Sequence, residues 1–148
     1  ELKREADALY ASGSFVDAVE RYGEALELLQ STGTESEEEI RKGNIMKGFV
    51  LLNLAACHHK LGIPAVAADI CTRALAIDQF NTRALQRRGQ CWYDMGEYVG
   101  AYGDLLRIEE IGCVNREVTS LMESIRDKSP ESVEMVQRER HEKKMREA

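Results

Sequence analysis

Two prolines in 148 residues, no CxxC pair and no long apolar run mark this sequence by what it lacks. So little proline, with 31% charged and 43% hydrophobic residues, excludes proline-rich, low-complexity and collagen-like chains and fits an ordered, helix-rich domain. No apolar run approaches the roughly 18 residues of a membrane span, and the opening ELKREADALY has no signal-peptide core. Basic side chains are outnumbered, 20 against 26, and the net charge of −6 argues against a general nucleic-acid binder. The four cysteines, Cys57, Cys71, Cys91 and Cys113, lie 14, 20 and 22 residues apart, too far for the close pairs of zinc or redox motifs. A chain this long buries enough core to stand without disulfides, which implies a reduced, cytoplasmic setting. No Ser-His-Asp arrangement, glycine-rich phosphate loop or carboxylate pair occurs in a fitting context, so no enzyme activity, cofactor or metal site is expected.

What is present is helix. Phe15–Gln30 carries Val19, Tyr22, Leu26 and Leu29 at three- and four-residue steps, one apolar stripe. Leu2–Ala11 precedes it and stops at Ser12-Gly13-Ser14. Ser36 and Glu39 fit a capping box that starts an unusually long helix reaching Leu61. Further helices are expected over Pro64–Ile77, with proline in its first turn, Thr82–Met95 and Tyr98–Ile108. Val114, Val118, Leu121, Met122 and Ile125 mark a seventh. Ser129-Pro130 opens an eighth, expected to be a solvated helix projecting past the core. Nothing alternates as a strand does, and the expected fold class is all-α. Charge is polarised along the chain: residues 1–40 hold 11 acidic and three basic side chains, while the last twelve residues hold five basic and three acidic.

The helices repeat. When Gly13, Gly62 and Gly96 are superposed, an alanine follows five residues later in every unit (Ala18, Ala67, Ala101). A small residue precedes by seven (Ala6, Ala55, Gly89), and a larger one by four (Leu9, His58, Trp92). Twelve residues after each glycine come Ala25, Ala74 and Ile108. Small residues at these steps let neighbouring helices approach closely, and the larger one fills the gap they leave. The step from Gly62 to Gly96 is 34 residues, and from Gly13 to Gly62 it is 49, one period plus 15 extra residues around Gln30–Gly48.

On these residues the chain resembles a tetratricopeptide-repeat domain. The resemblance implies a right-handed helical solenoid of three repeats, at about residues 1–30, 48–79 and 82–113, with a capping helix at 114–127 and a charged helical extension at 129–148. Gln79 stands where the family usually has proline, Leu105 where it has an aromatic residue, and Ile108 where it has a small one. The long insertion, VLLNLAACHHKLG, NTRALQRRGQCWYDMGEY and the charged QRERHEKKMREA are similar to the large immunophilins, proline isomerases that carry such a domain. Their isomerase domain has no counterpart in these residues. Glu1, almost inside the first helix, is expected of a segment of a longer chain.

In chaperone-binding members of the family, five polar residues in the concave face form a carboxylate clamp. The matching positions are Lys3, Asp7, Asn53, Arg83 and Arg87. Lys3 and Asp7, like Arg83 and Arg87, are four apart and share a helix face. Arginine suits a carboxylate because its guanidinium donates two parallel hydrogen bonds. Asp7 departs from the family's asparagine and is expected to repel a terminal carboxylate unless a cation such as Lys3 compensates. The implied partner is the acidic EEVD-type C-terminal peptide of heat-shock protein 90 or 70 chaperones. The alternative is a structural scaffold that binds a different partner or itself without recognising a terminal carboxylate. Adjacent His58 and His59 point about 100° apart and cannot chelate one metal together, so His58 is expected to pack and the buried cysteines to act as small hydrophobes.

Overall fold

The computed structural model describes residues 1–148 and contains eight helices and no strand. They are α1 (Leu2–Ala11), α2 (Phe15–Leu28), α3 (Glu37–Lys60), α4 (Pro64–Ile77), α5 (Thr82–Asp94), α6 (Tyr98–Ile111), α7 (Arg116–Lys128) and α8 (Pro130–Glu147). Local chemistry sets the boundaries. Ser36 Oγ accepts from the Glu39 amide at 3.2 Å to start α3, while Asn81 and Asn115 accept from Ala84 and Val118 at 3.1 and 2.8 Å to start α5 and α7. α6 runs past Ile108 to Ile111, one turn further than the apolar stripe implies, because Gly112 at φ 90° supplies its left-handed cap. Gly13, Gly62 and Gly96 take φ of 84°, 79° and 78° in the tight turn of each repeat, a region in which an L side chain is strained.

Each helix packs on its neighbour in sequence from α1 to α6. The first helices of successive pairs (α1, α3, α5 and α7) also touch one another, whereas α2, α4 and α6 do not. One layer is therefore tighter than the other, and the stack curves with the α1–α3–α5–α7 layer inside. The positions that superpose in sequence are the contacts that permit this spacing. Ala6, Ala55, Ala18, Ala67 and Ala101 are all fully buried, and a Cβ on Gly89 would already sit 3.5 Å from the Ala101 carbonyl. Ala101→Leu should therefore overpack this contact and cost about 1–3 kcal/mol, read as a fall in the urea midpoint. A variant as stable as the parent would contradict the close approach of α5 and α6.

The core falls in two parts, one from α1 to α5 and one from α5 to α8. Cys57, Cys71 and Cys91 are buried free thiols and Cys113 is exposed. α8 does not project from its first turn: Val133 and Val136 are buried with α6 and α7, and beyond them its side chains are mostly solvent-facing. One charged residue lies in the core, Asp104 on α6. Its carboxylate receives two bonds from the Arg88 guanidinium, at 2.7 and 2.8 Å. Arg88 also donates to Thr72 Oγ1 at 3.1 Å and lies 4.4 Å above the Trp92 ring. Burial raises the Asp104 carboxyl above the ordinary range and the Arg88 hydrogen bonds oppose it, while the same bonds raise Arg88 further. Gly100 is required beneath Trp92, since a Cβ there would meet the indole at 2.7 Å.

Candidate functional site

The inner layer encloses an open groove of about 540 Å³ between α1, α3, α5 and α7. Asn53 and His59 reach it from α3, Arg83 and Arg87 from α5, Tyr10 from α1 and Glu117 from α7. Three of the five residues expected from sequence, Asn53, Arg83 and Arg87, thus line one cavity. Lys3 lines a neighbouring shallow recess with Arg4, Met46 and Phe49, and Asp7 lines neither. Arg83 also borders an adjoining cleft of about 400 Å³ against Arg41, Ile45, Phe49 and Ile77. The groove therefore continues past Arg83 into a side pocket of mixed lining, where Asp78 and Asn81 stand beside the apolar residues.

The two arginines are available. None of the chain's ion pairs includes Arg83 or Arg87. Arg87 makes one long contact, 3.5 Å from its Nη1 to His59 Nδ1. One turn of α5 separates them from each other, so their guanidiniums present a two-cation surface on one face. Arg88, next in sequence, is turned about 100° away and is consumed by Asp104.

Asp7 is the hub of a separate network. Lys3 Nζ donates to its Oδ2 at 2.8 Å, and Tyr22 Oη and Asn53 Nδ2 both donate to Oδ1, the latter at 3.2 Å. Three helices are tied together through this one carboxylate. Burial alone would raise the Asp7 carboxyl, but the hydrogen bonds from Lys3 and Tyr22, with the Lys3 charge, hold it below the ordinary aspartate range. The Tyr22 hydroxyl is pushed the other way, upward, by its own burial and by the Asp7 bond. Asp7 is thus neutralised within the protein, and in return it occupies the ammonium of Lys3 and one amide hydrogen of Asn53.

His59 is the groove residue that sequence reasoning missed. It lies six residues after Asn53, with Ala56 midway, and three-residue steps on a helix keep all three on the groove side. Its Nε2 meets Asp94 Oδ2 at 2.7 Å, and Asp94 Oδ1 accepts from Gln90 at 2.9 Å. Its neighbour His58 packs instead, as expected: its Nδ1 is buried without a partner, and burial lowers its pKa.

No family model matches the chain. Human sperm-associated antigen 1 is 30% identical over 112 residues, which is 76% of this chain and 11% of that protein. The chain thus spans about a tenth of that protein's length. Among solved structures, the C-terminal tetratricopeptide-repeat domain of a putative FK506-binding protein from Plasmodium falciparum superposes with a TM-score of 0.79 at 23% identity, covering 90% of this chain and 89% of that one. The first such domain of Spaghetti (RPAP3), bound to the HSP90 peptide SRMEEVD, gives 0.69 at 21% identity and covers 85% and 88%. At these identities the likeness is one of fold, and it extends over nearly the whole chain. No helix is long and apolar enough to cross a membrane.

Proposed function

We propose, from the premise that this chain folds as a tetratricopeptide-repeat solenoid resembling those of FK506-binding proteins and co-chaperones, that it is a non-enzymatic module whose groove holds the acidic C-terminal tail of a protein partner. The observation that carries this reading is the Arg83–Arg87 face in the groove, neither arginine in an ion pair, with Asn53 lining the same cavity. Cations without counter-ions in a concavity attract an anion, and an extended carboxylate-rich peptide suits both the shape and the charge. Heat-shock-chaperone tails of the EEVD type have this chemistry, and a structural neighbour is bound to one. In this reading Lys3, Asp7, Asn53, Arg83 and Arg87 form the clamp positions, with the arginines as its principal donors.

One observation favours the alternative, a scaffold that does not read a terminal carboxylate. Asp7 engages Lys3 and Asn53, two of the donors that such a carboxylate would use. Calorimetry with SRMEEVD and its C-terminally amidated form separates the two readings. A clamp discriminates between them, and a scaffold does not. Asp7→Asn should tighten the free-acid peptide by about three- to tenfold at low ionic strength, because it releases Lys3 and removes a like charge. That gain should shrink with added salt. Weaker binding by the Asn variant, with its melting temperature unchanged, would mean that Asp7 contacts the ligand favourably, and would overturn the acidic-tail reading.

A further inference from the structure

Between Arg87 and Asp94 the groove holds His59, with a contact on each ring nitrogen. A guanidinium can only donate, so the 3.5 Å contact from Arg87 Nη1 finds the lone pair on His59 Nδ1, and His59 Nε2 carries the proton that Asp94 accepts at 2.7 Å. In this tautomer the imidazole braces Arg87 from below while Asp94, steadied by Gln90, braces the imidazole. Adding a proton at Nδ1 converts that acceptor into a donor. The ring then carries a positive charge beside Arg87, in the groove and still paired with Asp94.

We propose that His59 is a further anion-recognition residue of the groove: neutral, it positions Arg87, and protonated, it adds a cation beside it, so that the groove favours tails with several adjacent carboxylates. The inference rests on the acidic-tail reading above and adds to it a residue outside the expected five. Two cations side by side are unfavourable in the empty groove and favourable once carboxylates lie between them, so ligand binding and proton uptake assist one another. The charged and titratable groups that contact His59 or share its groove include one opposing carboxylate, Glu117, whose Oε2 accepts from Gln86. α5 contributes Arg83, Arg87 and Asp94, α1 contributes Tyr10, α7 contributes Glu117, and α2 and α4 put no side chain into the groove. The His59 side chain is 24% exposed, so protons and ligand both reach it.

The experiment is calorimetry of the whole chain with SRMEEVD between pH 8.0 and 5.5, a span over which free imidazoles titrate and the peptide's carboxylates, with ordinary values near 4, stay ionised. The parent should bind about three- to tenfold more tightly at the acid end, the scale of one added charge a few ångströms from a carboxylate in a wet groove. His59→Gln keeps a donor for Asp94 but takes up no proton, and should lose this gain. It also removes any ambiguity from His58 and His141, which remain in the variant. Replacing both glutamates of the peptide by glutamine should remove much of the acid gain from the parent. A flat parent profile, weaker binding in acid, or the same slope in His59→Gln would overturn the proposal while leaving the acidic-tail reading in place. Absence of binding at every pH, by parent and variant alike, would overturn both.

Discussion

Asp104→Ala is expected to lower the stability of the chain by about 3–5 kcal/mol, because it strands the Arg88 guanidinium inside the protein with no carboxylate. Arg88 is 18% exposed and Asp104 7%, so little water is at hand to replace the lost bonds. Trp92 and Thr72 remain as partners for Arg88, but neither carries the opposite charge. The pair clamps α5 to α6, the two helices that also meet at Gly89 and Ala101, so its loss should loosen the third repeat as a unit. Urea denaturation gives the cost directly. The companion variant Arg88→Met with Asp104→Leu replaces both charges with apolar groups and should recover most of the loss, since a buried ion pair contributes little beyond its apolar equivalent. If Asp104→Ala unfolded at the same urea concentration as the parent, the pair would not be a structural clamp.

The second large effect concerns binding. Arg83→Ala and Arg87→Ala should each weaken an acidic peptide by about 1–3 kcal/mol, the scale of a lost charge-assisted hydrogen bond. Together they should reduce affinity by roughly thirtyfold or more if their effects add, on the order of 1.4 kcal/mol per factor of ten. Thermal stability should hardly move, because neither residue has an ion-pair partner whose loss would be felt. That separation of effects distinguishes a groove residue from a structural one such as Arg88. A double variant with parental affinity for the peptide would sink the acidic-tail reading.

The repeat was legible because its determinants are local and recur. A left-handed glycine, an alanine five residues on and a small residue seven before are fixed by helix geometry within one hairpin, so Gly13, Gly62 and Gly96 align in the sequence as they do in space. The clamp positions came from the family resemblance, and the structure places Asn53, Arg83 and Arg87 around one groove, Lys3 in a separate recess and Asp7 in neither. What the sequence hid depends on side chains that meet across many residues. Asp7 reaches Tyr22 fifteen positions away and Asn53 forty-six away, and no periodicity signals that pairing. From the sequence only Lys3 is in view as a compensating partner for Asp7, whereas in the fold Tyr22 and Asn53 bond to it as well. Arg83, Arg87 and Arg88 read as one basic cluster, yet a single helical step divides them between groove and core. The eighth helix looked detached because its apolar residues are few, and two valines suffice to dock its first turns against α6 and α7.

The buried thiols give the stack a chemical record of its own opening. Cys57, Cys71 and Cys91 stand on α3, α4 and α5, one on each of three successive helices, and burial pushes them up to about 11, 12 and 11. Alkylating reagents attack the thiolate, so at neutral pH these three are shielded twice, by the lack of access and by the lack of ionisation. Cys113, exposed just beyond the end of α6, has no such cover and will be consumed first. Every later modification then requires a particular helix to part from its neighbours. In a stack held by nearest-neighbour contacts, the order in which the three become labelled reports the order in which α3, α4 and α5 open. Mass spectrometry of a slow alkylation would read that order without a single mutation.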